Sequence, residues 1–122
     1  MTIYQRMQEV FRLADVPGFF QAWRRTEEHP ELPETYAVYN MTQERSIQSA
    51  DDRPIFWRYN ITIFVYGHTD LTEVVETIKD ALTMERFELP TSSDAYARIN
   101  GAHIYAKQIN TAFVDYGDYG PD

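Results

Sequence analysis

From Ile55 to Tyr66 apolar and polar positions alternate without a break. Ile55, Trp57, Tyr59, Ile61, Ile63 and Val65 fall on one side, and Phe56, Arg58, Asn60, Thr62, Phe64 and Tyr66 on the other. Period-two alternation of this length, rich in aromatic and β-branched residues, predicts a strand. A second strand is predicted over Thr35 to Arg45, with Tyr36, Val38 and Asn40 on one side and Ala37, Tyr39 and Met41 on the other. The connection from Ser46 to Pro54 is long for a hairpin loop, which usually has about 2–5 residues. A connection of that length points to a loop with a function.

The pattern elsewhere switches to the helical period. Ile3, Met7, Val10, Phe11 and Ala14 share one face of a helix predicted over Ile3 to Asp15, which Pro17-Gly18 terminates. Phe19 to Arg25 reads as a short strand, and the Glu- and Pro-rich stretch Thr26 to Glu34 as an exposed loop. Asp70 and Glu73 have the spacing of a capping box. They open a helix running to about Arg86 whose stripe is Leu71, Val74, Val75, Ile78, Ala81 and Leu82. Pro90 closes it. Ala95 to Ile99 and Ala102 to Val114 are predicted strands joined by Asn100-Gly101, a strong two-residue hairpin signal because both turn positions need φ > 0.

Helix, strand, hairpin, helix, hairpin is the pattern of an α+β domain. The expected architecture is a single antiparallel or mixed sheet of about five strands, with two helices packed mainly on one face. Residues 1–114 are expected to form the domain and 115–122 an acidic, frayed tail. A chain of 122 residues can bury roughly two thirds of its unfolded surface. The long strand, however, carries apolar groups on both faces: Trp57 and Tyr59 on one, Phe56, Phe64 and Tyr66 on the other. A two-layer fold buries only one of them, so the surplus implies helices on both sides or a surface that meets another protein.

Charge and composition narrow the chemistry. The net charge is −8, which argues against nucleic acid as the main ligand, since phosphate binding needs Lys and Arg to displace counterions. Arg24-Arg25 is the one adjacent basic pair and reads as a solvated strand end. With no cysteine, disulfides, zinc-thiolate sites and thiol nucleophiles are excluded. The residues from Met1 to Ala14 lack the continuous apolar core of a signal peptide. No stretch approaches the ~20 apolar residues that cross a bilayer. The expectation is a soluble protein made in the cytoplasm, with no membrane partner.

Candidate catalytic groups do not converge. His29, His68 and His103 are far apart and none has a partner at metal-ligand spacing. Asp51-Asp52 is the best carboxylate pair, but it lacks the further oxygen ligands and the glycine of a calcium loop. It reads either as turn chemistry at a hairpin tip or as a contact to Arg53, Arg58 or a partner's basic residue. Phosphate-cradling glycine loops and a Gly-x-Ser-x-Gly elbow are absent. No catalytic, cofactor or metal residue is assigned. With nine Tyr, seven Phe and two Trp, types enriched at interfaces, the composition favours an assembly subunit over an enzyme.

Three runs carry a resemblance: Tyr36-Ala37-Val38-Tyr39, then Ala50-Asp51-Asp52-Arg53-Pro54-Ile55, then Tyr59-Asn60-Ile61-Thr62-Ile63-Phe64-Val65-Tyr66. Over residues 30 to 110 the chain resembles the small tail-completion, or tail-terminator-like, proteins of long-tailed bacteriophages and prophages. Asp70 to Phe87 takes the place of the family's following helix, with Arg86-Phe87 where the family has Gly-Phe, and the closing strand is similar at Tyr105-Ala106-Lys107. The Glu- and Pro-rich loop and the acidic tail depart from it. The resemblance implies a non-enzymatic virion subunit, an oligomeric ring (often hexameric) at the head-proximal end of the tail. It would end the tail tube and meet the head connector or stopper protein. An acidic lumen would keep passing DNA from sticking. The subunit contacts expected on this reading are Asp51, Asp52, Arg53 and Arg58 as charges, with Phe56 or Trp57 as apolar anchors. The alternatives are a head-completion (neck) protein and a small-molecule-binding or enzymatic α+β domain.

Overall fold

The computed structural model describes residues 2–22, 31, 33–47, 54–99 and 102–115. In chain order the elements are α1 (Ile3–Ala14), β1 (Gly18–Phe20), β2 (Tyr36–Ile47), β3 (Pro54–Gly67), α2 (Thr72–Met84), β4 (Thr91–Ile99) and β5 (Ala102–Asp115). The strands form one mixed sheet in the order β1-β2-β3-β5-β4. β1 runs parallel to β2 and every other pair is antiparallel. This is the expected α+β class, with both helices packed on one face of the sheet.

The apolar stripes decide which face is covered. Ile3, Met7, Val10, Phe11 and Ala14 of α1 join Val75, Ile78, Ala81 and Leu82 of α2 in one core. The sheet contributes Ala37 and Tyr39 from β2, Ile61, Ile63 and Val65 from β3, and Ile109 and Phe113 from β5. These strand residues are two apart or opposed in register, so they leave the sheet on the same side. The alternation along β3 therefore sorts as the pattern predicts, with Ile61, Ile63 and Val65 facing the helices.

Several element ends differ from expectation for local reasons. α1 opens on a capping box: the Thr2 hydroxyl accepts from the Gln5 amide at 3.1 Å, and the Gln5 side chain accepts from the Thr2 amide at 2.8 Å. It closes at Ala14, because Asp15 takes the left-handed conformation with φ 57°. β1 stops at Phe20, where Gln21 turns to φ 69°, so it is shorter than the strand expected over Phe19 to Arg25. The capping box expected at α2 does not form. Leu71 occupies the cap position, and Asp70 accepts instead from the Thr72 amide at 3.0 Å and the Thr72 hydroxyl at 2.7 Å. β4 begins at Thr91 rather than Ala95, and β5 reaches Asp115, one residue into the expected tail. Ile99 pairs with Ala102, the register of a two-residue hairpin. Residues 100–101, the loop 26–30 and the tail 116–122 lie outside the described residues.

The connection between β2 and β3 is shorter than the sequence pattern implies. Pairing continues through Ser46 with Phe56 to Ile47 with Pro54, across a register shift between Ser46 and Ile47. Only residues 48–53 separate the two strands. Three of the nine residues from Ser46 to Pro54 belong to the strands, and the remaining six are only slightly more than the usual hairpin connection of about 2–5.

Gly18 of β1 lies directly against the Phe11 ring of α1. A Cβ there would lie 2.1 Å from the Phe11 ring, and Phe11 is itself buried in the core. Gly18→Ala should destabilise the domain by roughly 1–3 kcal/mol, the range for overpacking. Urea unfolding that shows no loss would contradict this packing.

Tyr39 gives the core an alkaline signature. Burial pushes its hydroxyl up to about 12, against about 10 in an unfolded chain. The folded state thus keeps a proton that the unfolded state releases. This contribution to stability is complete below pH ~10 and is lost as pH rises towards the folded value. Tyr39→Phe should flatten the alkaline limb of a stability-against-pH curve, and identical limbs in the two proteins would refute the assignment.

Candidate functional site

The face of the sheet away from the helices is the candidate surface. Tyr36, Val38, Asn40, Thr42 and Glu44 of β2 point to it, opposed by Tyr66, Phe64, Thr62, Asn60 and Arg58 of β3. β5 adds Ala106, Gln108, Asn110, Ala112 and Val114. Phe19 lies beside Val38 in β1. Among the described residues, no helix packs on this side.

The face divides into an apolar end and a polar end. At the first, the Tyr36 and Tyr66 rings stand 5.3 Å apart, with Phe64 and Val38 paired in the adjoining row. Burial raises the pKa of both hydroxyls above the ordinary tyrosine value. Beyond them comes a ladder of amides and hydroxyls. Thr62 donates to the Asn110 side chain at 3.2 Å, and Gln108 donates to the same oxygen at 3.2 Å.

Charge is confined to the far end, where Arg58 meets the carboxylates of Glu88 and Glu44. The Arg58 guanidinium grips both oxygens of Glu88, the Nη2–Oε2 bond measuring 2.7 Å. Its Nε donates to Asn60 at 3.1 Å, and Asn60 passes the network to Glu44 at 2.9 Å. Glu88 is placed by its backbone: its amide donates to the Ala112 carbonyl at 2.8 Å, and its carbonyl accepts from the Thr111 hydroxyl at 2.8 Å. Ala112 lies between Arg58's strand and Glu88, and its short side chain leaves room for the pair to close over β5. Arg58 holds the Glu88 carboxyl below its ordinary range, and Glu88 raises Arg58 in turn.

The residues expected to make subunit contacts separate accordingly. Asp51, Asp52 and Arg53 lie outside the described residues, as does the side chain of Phe56. Trp57 and Arg58 are neighbours with opposite orientations. Trp57, 36% exposed, leaves on the helix side beyond the core, and Arg58 leaves on the open side. Arg58 is no unpaired charge waiting for a partner, because Glu88 already neutralises it. Glu88 had no signal in the sequence, since it stands 30 residues from Arg58 and in an irregular segment.

Other chemistry is sparse. His68 is exposed ahead of α2. His29 and the side chain of His103 lie outside the described residues. A cleft of about 300 Å³ between the end of α1 and the start of α2 presents Asp15, Thr35, Glu73 and Thr77. Thr77 is tied to its own helix through the Glu73 carbonyl at 2.8 Å. Among the described residues, no group of three His, Cys, Asp or Glu side chains could hold a metal ion. No helix among them is long and apolar enough to cross a membrane.

Comparison with known proteins leaves the reading to the fold and the surface: no family model matches the chain, and no curated protein matches it.

The Arg58–Glu88 pair is about a third to a half exposed, so solvent screens it. A double-mutant cycle with Arg58→Ala and Glu88→Ala should give a coupling of about 0.2–1 kcal/mol that shrinks with added salt. Because the Glu88 pKa is depressed on folding, the coupling should also fade as pH drops through the carboxylate range. Zero coupling at neutral pH and low salt would contradict the geometry.

Proposed function

We propose that this chain is a structural, non-enzymatic subunit that completes the tail of a long-tailed bacteriophage or prophage. In this role it caps the tail tube at its head-proximal end as part of an oligomeric ring and meets the head connector or stopper protein there. The observation that carries the reading is the one-sided helix layer. Among the described residues no helix covers the second face of the five-stranded sheet, where half-buried Val38, Phe64 and Tyr66 line one end beside the buried Tyr36. A face of that composition fits contact with other subunits better than it fits catalysis, because its one cationic group, Arg58, is already paired with Glu88. The resemblance of the Tyr36–Tyr66 region to tail-completion proteins supplies the virion context. The acidic balance of the chain, −8 overall, suits a ring through which DNA passes.

The Asp51-Asp52 pair remains the proposed charged contact of this role. Replacing both with Ala should leave thermal unfolding unchanged while producing tails of aberrant length and a loss of infectivity. Normal tails and full infectivity in that double variant would sink the assignment of the contact. Normal tails on particles that lack the protein altogether would sink the function.

A further inference from the structure

Hydrogen-bond direction in this sheet can be followed from one edge to the other. In an antiparallel ladder, alternate residues turn both backbone groups towards one neighbour and the residues between them towards the other. At the β1 edge, the Ala37 amide donates to the Pro17 carbonyl at 2.8 Å, and the Tyr39 carbonyl accepts from the Gln21 amide at 2.9 Å. Odd-numbered residues of β2 therefore face outward. At the other side, the Ala112 carbonyl accepts from Glu88 at 2.8 Å, so even-numbered residues of β5 face β4. The registers connect these two observations without conflict. In β4 the odd-numbered residues bond to β5, and Ser92, Asp94, Tyr96 and Arg98 direct their amides and carbonyls outward.

β1 covers β2 only as far as Tyr39. Beyond it, Met41, Gln43 and Arg45 direct backbone donors and acceptors away from β3, and among the described residues no strand pairs with them. Among the described residues the sheet thus has two open backbone edges on opposite sides. Neither strand contains a proline, the residue that commonly blunts an edge.

The two edges fit each other. β2 and β4 run in opposite directions, so placing β4 of one copy beside β2 of an identically oriented copy gives an antiparallel pair. The side chains agree as well. Met41 and Gln43 leave β2 on the helix side, as do Ser92 and Asp94 from β4, because each is in register with helix-side residues of its neighbouring strand. In an antiparallel sheet, opposed residues share a face. The outward-bonding positions of both edges can therefore pair without the one-residue slip that would turn one helix layer over.

We infer that copies of this chain associate head to tail, pairing the Met41–Arg45 edge of β2 in one copy with the β4 edge of the next. The result is one antiparallel sheet running through the assembly with every helix layer on the same side. Three outward residues on β2 permit about six new backbone hydrogen bonds, two for each bonded pair. Because the contact is heterologous, it generates a ring when the rotation closes. The inference rests on the self-association in the proposed function, not on the virion assignment.

Two substitutions test it by removing an outward amide while leaving the internal ladders intact: Gln43→Pro on β2 and Ser92→Pro on β4. Sedimentation of the full-length protein should show a wild-type oligomer and a monomer for each variant. Mixed together, the two variants should form a dimer and nothing larger, since each retains the edge the other has lost. Hydrogen exchange of the wild type, assembled against dilute, is independent of how the prolines fold. Protection should rise at the amides of Met41, Gln43, Ser92 and Asp94, with little change at Thr42 and Ser93, which already bond within the sheet. The inference is overturned if the wild type is monomeric at every concentration, if oligomers survive either proline, or if the mixture stays monomeric. It is equally overturned if protection rises only elsewhere. Tail length in particles lacking the protein tests the virion role separately.

Discussion

The fold depends on the fixed alternation of side chains along β3. This strand is flanked by β2 on one side and β5 on the other, so both its backbone edges are committed and only its two faces can vary. Ile61, Ile63 and Val65 bring the helix layer down on one face. Their partners in the alternation, Asn60, Thr62, Phe64 and Tyr66, are held on the other by the same geometry. A one-residue slip of β3 would move the amides and hydroxyls under the helices and the isoleucines out of them. Burying those polar groups without partners is costly enough to fix the register.

That commitment makes the domain one-sided. Both helices cover the same face because both apolar stripes need the continuous apolar surface that only that face of the sheet offers. The open face then satisfies its polar groups within itself, through the Arg58–Glu88 pair and the ladder joining Thr62, Asn110 and Gln108. What remains available is a patch of half-buried aromatic and aliphatic side chains, together with backbone edges at the two ends of the sheet. Both are features through which protein surfaces recognise one another.

Long periodic segments were legible from the residues alone. The faces of β2 and β3, the stripes of both helices and the β4–β5 hairpin register all follow from spacing. The misreadings have local physical causes. Thr-Ser-Ser-Asp at the start of β4 has no apolar alternation, because that strand is an exposed edge whose first residues bury little. Strand pairing persists through Ser46 and Ile47 because backbone bonds need no apolar side chains, so the β2–β3 connection looked longer than it is. Asp70 was a plausible cap by spacing, but its carboxylate is taken by Thr72, two residues on. The Arg58–Glu88 contact depends on how a loop crosses β5, and no sequence spacing encodes that. Hydrogen-bond direction at the edges needs the register of every strand between them.

One-sided covering, a guanidinium held by its own sheet and two compatible edges together describe a unit suited to building a larger sheet from copies of itself. The most direct test is a cryo-EM map of the assembled wild-type protein. The account predicts a strand-to-strand junction between β2 and β4 of adjacent subunits, with all helices on one side. Subunits joined through their helices, with the β2 and β4 edges left open to solvent, would contradict it.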